Sequence, residues 1–188
     1  MYELDKITII DNFLDIDSAE NLEKHILGHN FKWTCGASIV ADNYSAEVLI
    51  DPLYDVQLVN LIYTKHFENP KSGREVEGDY KIILPFMKKL NITTKQLTRV
   101  KINATLCKES IMRSGWHTDV PQNELEQGMT AIYYINTNNG KTLFKTGEEI
   151  ESIKNRIVIF PNNFPHTPQY HTNTPMRGVI NFNWLTNP

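Results

Sequence analysis

The chain has 188 residues, is 40% hydrophobic and 22% charged, and carries a formal net charge of -3. That length suits one domain around one core, and the charge gives no global attraction to nucleic acid or an anionic membrane. No apolar run approaches the ~20 residues that span a bilayer. The acidic start Met1-Tyr2-Glu3-Leu4-Asp5 lacks the basic region of a signal peptide. A cytoplasmic location is the expectation, with Cys35 and Cys107 as free thiols.

Ile7 to Ile10 reads as a short strand. Asp17-Ser18-Ala19-Glu20 predicts a helix start, with Asp17 as N-cap and Glu20 three residues on. Ala19, Leu22 and Ile26 share one face of that helix, and Gly28 ends it. Trp33 to Val40 is ambiguous, with a strand as one reading. Asp51-Pro52 predicts a second helix, buried along Val56, Val59, Ile62 and Tyr63 and running to around Phe67. Asn69 to Gly78, polar and interrupted by Pro70 and Gly73, reads as an exposed loop. A third helical segment follows from Asp79 to Leu90, either kinked or restarted at Pro85.

Beyond Asn91 the pattern changes. Arg99 to Thr105 alternates polar and apolar residues, a strand signature. Met129 to Ile135 is a second strand, Asn138-Asn139-Gly140 a hairpin turn and Thr142 to Phe144 the return. Thr146-Gly147 turns again before a weaker strand at Ile150 to Ile153. Arg156 to Phe160 is stopped by Pro161-Asn162-Asn163. A hairpin-like unit joins His166 to Arg177, with Pro168 and Pro175 bracketing its tip, and Val179 to Leu185 closes the chain. Helices first and short strands second predict an α+β protein: a jelly roll buttressed by helices. The expected division is one domain, 1–188, with a helix-rich part at 1–95 packed on a core at 96–188.

The chemistry concentrates around Trp116-His117-Thr118-Asp119. In an extended segment His117 and Asp119 share a face, which supplies two members of a 2-His-1-carboxylate site for non-haem iron. The third must come from a distant strand. His25, His29 and His66 lie on or near the predicted helices and read as surface residues. Of the two downstream histidines, His166 opens a strand after a tight turn and is the preferred ligand, while His171 sits near a loop tip. Arg177 follows His166 by eleven residues. Alternation puts Arg177, Val179, Asn181 and Asn183 on one face and Ile180, Phe182 and Trp184 on the other. Two readings stay open: the first set faces solvent, or Arg177 points inward and pairs with a carboxylate through its fork.

His117-x-Asp119, His166 and Arg177, in that order and spacing, resemble the H-x-D…H…R pattern of the iron(II)- and 2-oxoglutarate-dependent dioxygenase superfamily. Ile9-Ile10-Asp11-Asn12-Phe13-Leu14 resembles the opening of its prolyl-4-hydroxylase-like branch. So does Tyr134-Ile135-Asn136 with Gly140-Lys141-Thr142-Leu143-Phe144. The similarity runs over roughly the whole chain, most closely from Arg99 to Trp184. It implies a double-stranded β-helix, iron(II) held by His117, Asp119 and His166, and 2-oxoglutarate clamped at its distal carboxylate by Arg177. Asn103, Tyr134 and Thr142 are the further candidates for contacting 2-oxoglutarate, and Trp116 for shaping the pocket wall. The implied reaction consumes O2, releases succinate and CO2 and hydroxylates a substrate, with ascorbate as a candidate accessory reductant.

The resemblance departs from its branch in one respect. Animal-type prolyl-4-hydroxylases use lysine for the distal carboxylate, where this chain offers Arg177. The nucleic-acid demethylase branch carries a second arginine six residues on, where this chain has Asn183. The expected partner is therefore a peptide, prolyl first, or a small molecule such as a free amino acid, with no nucleic acid and no membrane. Two readings compete. A cupin-like metalloprotein without 2-oxoglutarate has no use for Arg177 beside the metal, and a non-catalytic jelly roll predicts no convergence of His117, Asp119 and His166. The sequence does not give the oligomeric state.

Overall fold

Alternation along a strand sorts its side chains onto two faces, and the two longest strands of the protein are built on it. The computed structural model describes residues 5–36, 55–65, 80–119 and 128–186. Strands β1 (Thr8–Ile10), β2 (Thr34–Gly36) and β3 (Gln57–Thr64) come from the first half, with helices α1 (Ile16–Ile26) and α2 (Leu84–Leu90). The second half supplies β4 (Leu97–Leu106), β5 (Gly128–Tyr134), β6 (Lys141–Phe144), β7 (Glu149–Glu151), β8 (Ile157–Pro161), β9 (His166–Gln169) and β10 (Met176–Leu185). A larger sheet has the order β1-β8-β5-β10-β4-β3-β2, and a smaller one the order β7-β6-β9. Single bridges from Arg113 to Gln169 and from His117 to His166 lay residues 113–117 along the free side of β9.

From β5 onward the chain passes back and forth between the two sheets, which is the winding of a double-stranded β-helix. Ile132, Tyr134, Val158, Phe160 and Val179 of the large sheet meet Phe144 and Ile150 of the small one to form the inner core. The outer face of the large sheet presents Val100, Ile102, Tyr133, Ile180, Phe182 and Trp184. Against it pack Ala19 and Ile26 of α1 and Phe86, Met87 and Leu90 of α2. Phe86 is fully buried and its ring lies 4.8 Å from Tyr133 and 5.0 Å from Phe182. The helices thus cover one sheet face and leave the other to the site. Among the described residues no helix is long and apolar enough to cross a membrane.

Several sequence expectations change. The helix expected from Asp51 to Phe67 is, where described, strand β3, paired with β2 on one side and β4 on the other. A register shift between Leu61 and Tyr63 explains the misleading stripe. A bulge breaks the period of two, so the adjacent Ile62 and Tyr63 both meet the outer core, imitating a helical spacing. The first part is therefore not simply helix-rich: β1 and β3 extend the large sheet itself. Helix α1 is capped by Asp15, which accepts from the Ser18 N–H at 2.9 Å, and Asp17 lies in the first turn instead. Pro85 stands at the start of α2, after a separate 3-10 turn at Tyr80–Ile82, so the helix restarts there. Neither expected long hairpin forms. β5 and β6 lie in different sheets, as do β9 and β10, so the Asn138-Asn139-Gly140 and 170–175 segments cross between layers. The expected loop at Asn69 to Gly78, and the segment from Val40 to Ser45, fall outside the described residues.

Asn155 anchors the N-terminal segment. Its φ of 64° is in the left-handed region that asparagine tolerates. Its side chain accepts from the Leu14 N–H at 2.8 Å and from the Tyr133 hydroxyl at 3.1 Å, and donates to the Leu14 carbonyl at 2.9 Å. We expect Asn155→Ala to cost about 3 kcal/mol, from buried partners left unpaired and from the strained φ. Asn155→Gly should recover only the backbone part. Urea unfolding of both variants checks this; equal stability of the alanine variant and the parent chain would contradict it.

Candidate metal centre

His117 and Asp119 end an extended segment that lies against β9, and the backbone pairing is reciprocal. The His117 N–H donates to the His166 carbonyl at 3.0 Å, and the His166 N–H to the His117 carbonyl at 2.9 Å. This ladder pair brings the two imidazoles side by side, ring centroids 4.7 Å apart. Asp119, two residues along, falls on the same face. One ligand atom from each of His117, Asp119 and His166 lies within 4.8 Å of the others. Each histidine Nε2 is 3.9 Å from an Asp119 oxygen, and the Asp119 side chain is 6% exposed.

Both rings are oriented in the same way. His117 Nδ1 lies 3.3 Å from the Gly115 carbonyl and His166 Nδ1 3.1 Å from the Phe164 carbonyl. A carbonyl can only accept, so each Nδ1 carries the proton and each Nε2 lone pair is free to face Asp119. That is the usual arrangement of a metal-binding histidine, fixed by the backbone behind it. Burial, and then the neighbouring His166, push the His117 imidazolium down to about 4. Burial opposes ionisation of Asp119, but Arg99, His166, His117 and Lys101 outweigh it and hold its carboxyl well below the usual range. Neutral imidazole and ionised carboxylate are the ligating forms.

The His117 shift has a measurable sign. Its ordinary value is 6.5 and its folded value about 4, so between these the unfolded chain holds the extra proton. Stability contributed by neutral His117 is therefore withdrawn as pH falls through that window. Asp119 acts in the same sense, but only below its ordinary 3.8. We expect the urea midpoint of the metal-free protein to fall from pH 7 to pH 5, and less steeply in His117→Gln. A flat midpoint in the parent chain would contradict a neutral buried imidazole.

Arg177 comes from the start of β10, opposite Thr105 of β4, and spans the gap to the small sheet. It is 4% exposed. Its Nε donates to the Ser152 hydroxyl at 2.7 Å and its Nη2 to the Thr142 hydroxyl at 3.2 Å. Thr142 also accepts from the Tyr134 hydroxyl at 2.8 Å, and the guanidinium lies 5.5 Å from the Tyr134 ring centre. Burial pushes the guanidinium below its ordinary value, and only tyrosines Tyr134 and Tyr170 act in the other direction. Among the described residues no carboxylate forms an ion pair with it. Of the two faces left open for β10, the inward one holds Arg177, Val179, Asn181 and Asn183, all buried.

Asn103 is buried on β4, and its Oδ1 has no hydrogen-bond partner among the described residues; the same is true of Thr105 Oγ1 and Asn181 Oδ1. Buried polar atoms without partners are costly, and three on one sheet face fit a polar ligand there. His171 is fully buried rather than at an exposed tip, but it is not part of the metal cluster. His25 and His29 are exposed, and His66 lies outside the described residues. Trp116 is half-buried and carries the Arg113 guanidinium 5.0 Å from its ring centre. Arg99 was not foreseen at the site: its Nη2 lies 3.1 Å from Asp119 Oδ1. Alternation back from Asn103 could have found it, because Arg99, Lys101 and Asn103 share a face.

No protein-family model matches the sequence, and comparison with curated proteins gives no match. Solved structures share the fold. A prolyl hydroxylase from Trichoplax adhaerens, in complex with a peptide fragment of the hypoxia inducible factor oxygen degradation domain, has a TM-score of 0.64 at 15% identity, over 95% of this chain and 83% of that one. The non-heme alpha ketoglutarate dependent epimerase SnoN from nogalamycin biosynthesis has a TM-score of 0.62 at 10% identity, over 97% and 79%. A viral collagen prolyl hydroxylase from Paramecium Bursaria Chlorella virus-1 has a TM-score of 0.51 at 13% identity, over 96% of each chain. The chain has the fold of these oxygenases.

Proposed function

We propose that this protein is an Fe(II)- and 2-oxoglutarate-dependent oxygenase that hydroxylates its substrate and releases succinate and CO2. The observation that carries the reading is the pairing of two features across the interior between the two sheets. His117, Asp119 and His166 converge through free Nε2 atoms and a carboxylate, and Arg177 of the facing sheet is buried with no acid among the described residues to pair with it. A three-residue set leaves coordination positions for a bidentate 2-oxo acid and O2. Arg177, locked by Ser152 and Thr142, would hold the distal carboxylate, with Tyr134 fixing Thr142. The unpartnered oxygens of Asn103 and Asn181 accept hydrogen bonds as the side chains are placed, and a turned amide would donate instead. Iron supplies the oxidising chemistry when bound; the protein positions, orients and excludes water.

The reading takes the chain as one domain, since β1 and β3 complete the sheet that carries the site. It places the protein in a reducing compartment, in keeping with the exposed free thiols Cys35 and Cys107. A cupin-like protein without 2-oxoglutarate leaves the buried Arg177 unexplained. For the primary substrate we favour a peptide-borne residue, prolyl first, on the strength of the fold shared with two prolyl hydroxylases; a free amino acid or other small molecule is the alternative. Anaerobic Fe(II) titration should produce a weak visible charge-transfer band only when 2-oxoglutarate is also present. No band at saturating Fe(II) and 2-oxoglutarate sinks the proposal. Mass spectrometry of proline-containing peptides and free amino acids, scored for gain of one oxygen, then chooses between the two substrate readings.

A further inference from the structure

Strand β4 turns two cations toward the site. Arg99, Lys101, Asn103 and Thr105 alternate onto the inner face, while Val100, Ile102 and Ala104 turn away. Arg99 is held in place from behind. Its Nε donates to Asn183 Oδ1 at 3.0 Å, Asn183 donates to Thr130 at 3.0 Å, and Thr130 donates to Asn162 at 2.8 Å. Its Nη2 reaches Asp119 at 3.1 Å, and the side chain remains 28% exposed. Lys101 makes one long contact, Nζ to Gln57 Oε1 at 3.4 Å. Burial and Arg99 both disfavour its charge, and Asp119 is the anion that favours it.

One carboxylate cannot serve all of these charges once it binds a metal. With Asp119 and two neutral imidazoles, a divalent ion keeps one positive charge. The 1-carboxylate of a 2-oxo acid cancels that, and its distal carboxylate pairs with Arg177. Among the described residues Arg99 and Lys101 are then left without an anion of their own. The distal carboxylate held by Arg177 does not extend to Arg99. Arg177 pairs with Thr105 and Asn183 with Arg99, six residues apart along β10, or about 20 Å of strand. A carboxylate paired with Arg177 at one end of that span is not shared with Arg99 at the other.

We propose that Arg99 and Lys101 form an anion subsite for a carboxylate of the primary substrate, beside the metal and remote from Arg177. The inference rests on the oxygenase reading and narrows its substrate class. The carboxylate can come from the main-chain acid of a small molecule or from an acidic side chain next to the reacting residue of a peptide. An arginine fork that already bears on Asp119 would orient such a group close to the metal. A neutral substrate would leave two half-buried cations uncompensated.

The test uses the Fe(II)·2-oxoglutarate complex under anaerobic conditions, with binding read as a shift of its visible band. The probes are the free amino acids against their amides, and Asp- and Glu-containing pentapeptides against their Asn and Gln counterparts. Acid probes should bind and neutral partners bind at least about tenfold more weakly. Whichever set responds identifies the source of the carboxylate. Lys101→Met should erase the acid-over-neutral preference while 2-oxoglutarate affinity stays within about twofold, and Arg99→Lys should keep part of the preference. Arg99→Met, which also unpairs Asp119, is secondary to these. An intact band with no probe bound, or with acid and amide bound equally, overturns the subsite. So does a loss of 2-oxoglutarate affinity in Lys101→Met, which would make Lys101 a cosubstrate residue. No band in the parent protein instead overturns the oxygenase reading itself.

Discussion

Replacing His117, Asp119 or His166 by alanine should abolish stable Fe(II) binding, whereas His171→Ala should keep it. Removing an outer-shell partner of a metal ligand already costs about 10–100-fold in affinity, and loss of a ligand itself should exceed that. The geometry makes the three equivalent in this respect. Each supplies one atom to a cluster spanning 4.8 Å, and two remaining ligands cannot define a face of an octahedron. Asp119→Ala carries an added cost, because it leaves Arg99 without its acid at 3.1 Å. His171 is the informative control. It is fully buried, so its truncation will lower stability through a cavity, but no part of the cluster depends on it. Anaerobic iron titration, with urea unfolding alongside to separate folding from binding, checks the set. Iron lost in His171→Ala and kept in His166→Ala would show that the wrong histidine has been assigned.

The histidines show how far local pattern reaches. His-x-Asp was readable because extended backbone has a period of two, and that arithmetic needs no tertiary information. Choosing His166 over His171 needed only the turn at Pro161-Asn162-Asn163. The cross-sheet placement of Arg177 was not readable in the same way. Pro168 and Pro175 suggested a hairpin, which would have set His166 and Arg177 on neighbouring strands. In the fold they lie in opposite sheets and approach across the interior. Nothing in a turn's composition says which sheet the next strand will join. The segment around β3 failed for a related reason. Val59, Ile62 and Tyr63 satisfy a helical spacing because a bulge shifts the strand's register after Leu61, and pairing with both β2 and β4 outweighs local propensity. Arg99 is not legible from Asn103 alone; it emerges only from the whole alternating face of β4. The helix cap moved by two residues, to Asp15, because Asp15 and Asp17 both satisfy the residue preference and only backbone geometry separates them.

Arg177→Ala should weaken 2-oxoglutarate binding by tenfold to several thousandfold while leaving Fe(II) binding nearly intact. The range corresponds to about 2–5 kcal/mol for breaking one side of a buried charge-assisted pair. The two effects separate because the residues stand apart. The proposed metal ligands sit on β9 and the segment paired to it, whereas Arg177 is anchored by Ser152 at 2.7 Å and Thr142 at 3.2 Å. Its backbone neighbours on β4 and β5 hold the strand regardless of the side chain. Arg177→Lys should fall between, since lysine keeps the charge but cannot donate to Ser152, Thr142 and a carboxylate in one plane. Thr142→Val extends the argument. It removes the oxygen that receives both Arg177 and Tyr134, so it should loosen the clamp by a smaller factor, about five- to tenfold for one buried hydrogen bond. Gly140 belongs to the same set: a Cβ there would stand 3.0 Å from Arg177 Cδ and 2.9 Å from the Gln169 carbonyl. Gly140→Ala should therefore crowd the Arg177 stem together with the Gln169 carbonyl and Asn138 Oδ1, displace the guanidinium and weaken the cosubstrate. Binding isotherms for 2-oxoglutarate at saturating Fe(II) decide the matter. An unchanged dissociation constant in Arg177→Ala removes the clamp, and with it the feature that separates this site from a metal centre that has no use for a 2-oxo acid.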